Sequence, residues 1–133
     1  MNIVIGCVDT VSSRIEIIEG IRKLDHKNVY YVDAGNFDNR GQVIVFDFNK
    51  STDQEIDNIL NKFKEAKEQD FVASCSEYGD QTIMANMMAA TYLYNVVNEI
   101  LMSESCSINS IFFSRYNVQA DIDLKSAIEK KVI

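Results

Sequence analysis

Two β-rich runs set one helix-length apart at the N-terminus constrain this chain more than any other feature. Asn2 to Cys7 is a short Ile/Val run, and Asn28 to Val32 is a second, Val-Tyr-Tyr-Val at its centre. Between them Val11, Ile15, Ile18 and Ile21 recur at helical spacing, with Arg14, Glu16 and Glu19 elsewhere on the wheel. A helix of that length between two strands is a right-handed crossover, and such crossovers join parallel neighbours. The polar run Asp9 to Ser13 offers side-chain oxygens to the free N–H groups of the helix start, and Ser13 followed by Glu16 fits a capping box. Gly20 weakens the helix, which is expected to end near Leu24.

The remaining chain continues the alternation. Asp33 to Arg40 reads as a polar loop, with Gly35 and Asn36 as turn residues. Gln42 to Phe48 reads as a third strand. Ser51 to Gln69 reads as a peripheral surface helix capped by Ser51 or Thr52, with Ile56, Ile59, Leu60 and Phe63 on one stripe and acids in its first turns. Ala73 to Gly79 is a small-residue loop. Asp80 to about Met102 is the longest predicted helix, and from Met84 to Leu101 its apolar residues cover most of the wheel. Such a helix is expected to be buried on more than one side, and in so small a domain a protein partner or a second subunit is the natural second cover. Ser107 to Arg115 and Asn117 to Leu124 read as strands joined at Tyr116-Asn117. The alternation Val118, Ala120, Ile122, Leu124 predicts a half-buried antiparallel or edge strand.

With 133 residues the chain is expected to be one domain, 1–133. Its 47% apolar content places it among folded globular proteins. Its apolar runs are too short for a bilayer, so no membrane association is expected. No cationic segment precedes Asn2 to Cys7, which argues against a secretory signal and for a cytoplasmic location. The formal net charge of −7, with no Lys/Arg block beyond Lys130-Lys131, makes nucleic acid a poor partner. Cys7, Cys75 and Cys106 are odd in number and widely spaced, there is no CxxC pair, and His26 is the single histidine. A structural zinc site needs four clustered ligands, so free thiols are expected instead.

Few residues are placed for chemistry. Asp9 follows a strand and opens a helix, where a carboxylate either caps the helix or holds Mg²⁺ beside a phosphate. The glycines Gly6, Gly20, Gly35, Gly41 and Gly79 are scattered, with no GxGxxG and no GKS or GKT, so no phosphate loop is encoded. Cys75 precedes the long helix, where a helix N-terminus lowers a thiol pKa; the alternative is an inert thiol. Cys7 and Cys106 read as structural. His26 lies in a polar turn without a nucleophile to serve and reads as exposed. Arg40-Gly41-Gln42 opens the third strand in a structural role.

In this order and spacing the segments resemble the C-terminal half of the ThiF/MoeB-type adenylyltransferases, relatives of ubiquitin-activating enzymes, and among these the ThiF family of plasmid PRTRC systems. Val4-Ile5-Gly6-Cys7-Val8-Asp9-Thr10 through Arg14 looks like the family's strand ending in Cys-x-Asp-Asn and the helix with an Arg that follows. Tyr30 to Gly35, Arg40 to Phe46, Ser74-Cys75-Ser76, the helix around Met87 to Leu101 and the last two strands are similar to its later elements. The family adenylates the C-terminal glycine of a ubiquitin-like carrier with ATP and Mg²⁺. The resemblance implies Asp9 as metal and nucleotide ligand and catalytic residue, Arg14 as nucleotide-binding and Cys75 as a second catalytic residue. Thr10 stands where the family has Asn. The Gly-rich loop and the catalytic Arg and Lys belong to an N-terminal half that this sequence does not contain.

The expectation is thus an α/β fold, a partial ThiF/Rossmann-like mixed sheet with helices packed on it and antiparallel strands at its end. The expected function is an interaction module that binds a protein partner or self-associates, without cofactor when alone. The alternatives are one half of a split ATP-dependent adenylyltransferase completed by another chain, and an oligomeric structural protein of a mobile-element system.

Overall fold

A computed structural model describes residues 1–8, 10–24, 28–37, 39–69 and 83–123. The chain is α/β, and its described residues form three helices and one five-stranded mixed sheet in the sequential order β1-β2-β3-β4-β5. The elements are β1 (Asn2–Gly6), α1 (Val11–Lys23), β2 (Val29–Phe37), β3 (Arg40–Asp47), α2 (Asp53–Gln69), α3 (Ile83–Ser103), β4 (Ile108–Ser114) and β5 (Val118–Ile122). The crossover joins β1 and β2 in parallel, Asn2 opposite Val29 and Gly6 opposite Asp33. The other three pairings are antiparallel.

The sheet divides the core in two. On one face Val29, Tyr31 and Phe46 pack with Ile18 and Ile21 of α1 and with Ile56 and Leu60 of α2. On the other Val32, Val43 and Ile111 pack with Val96 and Ile100 of α3. The first half of β2, Val29 to Val32, is buried on both faces, which is why that run is continuously apolar rather than alternating.

Several boundaries differ from those the sequence predicts. The segment read as a loop from Asp33 is strand as far as Phe37, because each of its residues pairs with β3, ending with Phe37 opposite Arg40. Gly35 and Asn36 therefore lie inside a hairpin arm. The cap of α1 is Thr10, whose hydroxyl oxygen accepts from the Ser13 amide at 3.1 Å, so Ser13 is the third helical residue and starts no capping box. The cap of α2 is Thr52, in a reciprocal box with Glu55. β5 is an edge strand exposed on both faces rather than half-buried. Val118, Ala120 and Ile122 share the α3 side of the sheet with Ile111 and Phe113, but α3 packs mainly over β2, β3 and β4.

No helix among the described residues is long and apolar enough to cross a membrane.

Candidate functional site

The carboxyl end of β1, the middle of β2 and the first turns of α1 converge on a buried polar cluster. Asp33 is 1% exposed on the α1 side of β2. Arg14 donates from Nε to its Oδ2 at 2.6 Å, and the Tyr31 hydroxyl donates to its Oδ1 at 3.2 Å. Gly6 is the residue of β1 opposite Asp33. A Cβ there would fall 2.5 Å from the Tyr31 hydroxyl and 2.6 Å from Asp33 Oδ1, so only glycine lets β1 lie against the cluster. Gly35 gives Arg14 room: the guanidinium's terminal nitrogen would lie 3.0 Å from a Cβ at that position, a tight contact that a small shift of the side chain would relieve.

Burial pushes the Asp33 carboxyl above its ordinary range, opposed by the Arg14 charge and by the hydrogen bonds from Arg14 and Tyr31. Burial, then the Asp33 charge, raises Tyr31, which remains a donor at neutral pH. Both Asp33 oxygens are engaged and closed to solvent, so this carboxylate orients Arg14 and is not placed to exchange protons with a ligand. The Arg14 side chain, 12% exposed, is fixed through Nε and carries its terminal nitrogens over the bare backbone of Gly35. A guanidinium held in this way presents a planar fork suited to a carboxylate or a phosphate.

Of the residues singled out from sequence, Arg14 is in this cluster. Asp9, Cys75 and His26 lie outside the described residues. Cys7, expected to be structural, is exposed just beyond β1, because the strand ends at Gly6 and the chain leaves the sheet there. Cys106 is buried, as expected. Asp33 and Tyr31, which organise the cluster, had not been singled out. The signal was a lone acid directly following an apolar β run, hidden by the turn residues after it. Among the described residues no group of three or more His, Cys, Asp or Glu side chains is arranged to hold a metal ion.

The second candidate surface is α3. Its inward residues Ala85, Ala89, Val96 and Ile100 are buried. Its outward residues Ile83, Met87, Tyr94, Leu101 and Met102 are between 59% and 79% exposed. The helix contains a single charge, Glu99, and that side chain turns back to accept from the amide and hydroxyl of Ser107. The sequence pattern that demanded cover on more than one side is therefore met on one side only. At the N-terminal half of α3 a shallow open groove of ≈ 560 Å³ is lined by Ile83, Met84, Met87, Met88, Thr91 and Tyr92.

Compared with protein-family models, with curated proteins and with solved structures, the chain gives no significant match to any of them.

Proposed function

We propose that the chain is a protein-interaction module and that the outward face of α3 is its docking surface. The observation that carries this reading is the face itself: five large apolar residues lie exposed along one helix, on the outer half of which no charged residue falls, in a chain of net charge −7. Apolar groups scattered singly on a surface need no explanation, whereas a continuous stripe does. The methionines suit such a role, because unbranched thioethers adapt to a partner's contour. Met87 and Met102 also provide the test. Their oxidation by dilute peroxide is compared, residue by residue, between the purified chain at submicromolar concentration and the same chain in extract of the cells that make it. Protection of both in the extract, with Met1 unprotected, is the expected result. Equal oxidation of all three in both samples refutes a covered α3 face.

The Arg14 fork favours a second reading, in which the chain is one half of a split adenylyltransferase acting on a ubiquitin-like carrier. It lies at the carboxyl end of a parallel strand pair beside the start of α1, where anionic ligands of open α/β sheets bind. In that case Arg14 would meet a phosphate or carboxylate oxygen, and Mg²⁺ would fall to Asp9. Calorimetric titration with ATP and Mg²⁺ distinguishes the readings. Binding abolished by Asp9→Asn and by Arg14→Lys supports the split enzyme. Absence of binding leaves Arg14 and Asp33 as an internal tie between α1 and β2.

A further inference from the structure

We infer that the occupant of the α3 face is a second copy of this chain, its α3 packed antiparallel to the first; this rests on the docking reading above. Ile83, Met87, Ala90, Tyr94, Val97 and Leu101 follow one another at alternating spacings of four and three. That is the seam of a two-helix coiled coil; Ile83, Met87, Ala90, Tyr94 and Leu101 are exposed on it, and Val97 lies at its border, half-buried against the sheet-side core. The order of side-chain sizes selects the direction. With the two helices antiparallel about the Tyr92–Leu93 region, Ile83 meets Leu101 of the other copy, Met87 meets Val97, and the small Ala90 meets the large Tyr94. Every seam residue then has a complement, and the two-fold axis makes the contact self-consistent. With the helices parallel, Tyr94 would oppose Tyr94 and Ala90 would oppose Ala90, a clash beside a void.

Charge and area point the same way. Two copies, each of net charge −7, repel at long range, so contact is least opposed on a face that carries no acid. The outer face of α3 is such a face, whereas the outer side of α2 carries Asp53, Glu55 and Asp57. A 21-residue helix about 10 Å across offers on the order of 600 Å² on its outer half, about 1,200 Å² for the pair. This is the lower edge of a specific interface, and it implies a micromolar dimer rather than an obligate one.

Sedimentation equilibrium of the full chain from 1 to 100 µM tests the inference. The expected result is a monomer–dimer equilibrium that tightens as NaCl rises, because salt screens the repulsion of like-charged copies. Ala90→Glu or Tyr94→Lys alone should weaken it at least about tenfold. The double variant A90E/Y94K should regain at least about tenfold over either single change. Antiparallel helices bring position 90 of one copy against position 94 of the other, a carboxylate against an ammonium, whereas parallel ones set like charges together. Circular dichroism confirms that each variant is folded. A dimer not regained in the double variant overturns the antiparallel pairing and leaves the docking face standing. A chain monomeric at 100 µM overturns the second copy as occupant. Methionine protection in extract would then assign the face to a different protein, and its absence would remove the docking reading as well.

Discussion

The two sides of the sheet solve the same packing problem with opposite chemistry. On the α1–α2 side apolar residues face inward, and charges finish the outer surface and tie the helices together. Arg22 of α1 reaches Asp53 and Asp57 of α2, and Lys64 of α2 reaches Glu19 of α1. The ion pair of Arg14 with Asp33 penetrates to the buried interior of the sheet. On the α3 side the inner half is equally apolar, but the outer half lacks charge altogether. The first side is complete in one chain. The second has an inner face packed on the sheet and an outer face of exposed apolar residues, the one proposed above as a docking surface. The contrast is one of amphipathicity: α2 sets an apolar stripe against a charged outer side, whereas α3 is apolar on both its buried and its exposed side.

The largest expected break in this comparison is at the buried pair. Asp33→Ala leaves the Arg14 guanidinium largely enclosed without its partner and should cost ~3–5 kcal/mol in urea unfolding at an unchanged m-value. A loss below about 1 kcal/mol would mean that Arg14 swings freely into solvent, and that the α1 side is not closed. The same carboxylate gives a pH test. Asp33 binds its proton more tightly in the folded chain than in the unfolded one, because burial raises it. The proton-linked part of its contribution is therefore complete below the ordinary carboxylate value and is lost as pH rises through the higher folded value. The stability advantage of the wild-type chain over Asp33→Asn should shrink as pH rises across that interval. An advantage that grows instead would show that the attraction of Arg14 outweighs burial.

Neighbouring positions on α3 sharpen the contrast next. Ile100 is fully buried and Leu101 is 59% exposed. Ile100→Ala should cost ~2–5 kcal/mol, as should Leu60→Ala on the inner face of α2. Leu101→Ala should fall within about 0.5 kcal/mol at submicromolar concentration, where an exposed side chain has nothing to lose. If α3 is covered by a second copy, that small effect grows as the protein is concentrated, since association adds to stability by mass action. An effect of Leu101→Ala that is large and independent of concentration would contradict an open outer face.

The sequence carried the backbone of this picture where periodicity and punctuation agreed. The crossover from Ile3 through Ile18 to Val32, the stripe of Ile56 and Leu60, and the hairpin at Tyr116-Asn117 are each set by local spacing, and each is found in the structure. It misled where punctuation and pairing disagreed. Gly35 and Asn36 look like a turn, yet β3 offers a full row of partners, and backbone pairing outweighs a local turn preference. The exposure of β5 was hidden because alternation records which residues share a face, not whether a helix reaches far enough to cover it. The candidate site was half legible. Arg14 stood out through a resemblance, whereas Asp33 is nineteen positions away and meets it only because the crossover returns β2 beside β1. The bare face of α3 was visible as excess apolarity, but which half of the helix the sheet would leave uncovered depends on the fold.

The smallest expected effect lies where α3 ends. Glu104, just past the helix, sits at φ 54°, in the left-handed region that costs a side chain and suits glycine. Its amide donates to the Ile100 carbonyl at 2.8 Å, and its own carbonyl accepts from the Tyr30 hydroxyl at 3.5 Å. Both bonds belong to the backbone of residue 104 and survive removal of its side chain. Glu104→Gly should therefore gain about 0.5–1 kcal/mol, a rise of roughly 2–5 °C in Tm. α1 ends differently: Leu24 is at φ −74°, in the ordinary helical region, and its amide bonds the Gly20 and Ile21 carbonyls. There the same substitution relieves no strain and only frees the unfolded chain, so Leu24→Gly should lower stability by a similar amount. Opposite signs at the two helix ends would show that α3 is held against the sheet by its side chains, over a backbone stop that a glycine would serve better. A loss at both ends would mean that the Glu104 side chain makes a compensating contact of its own.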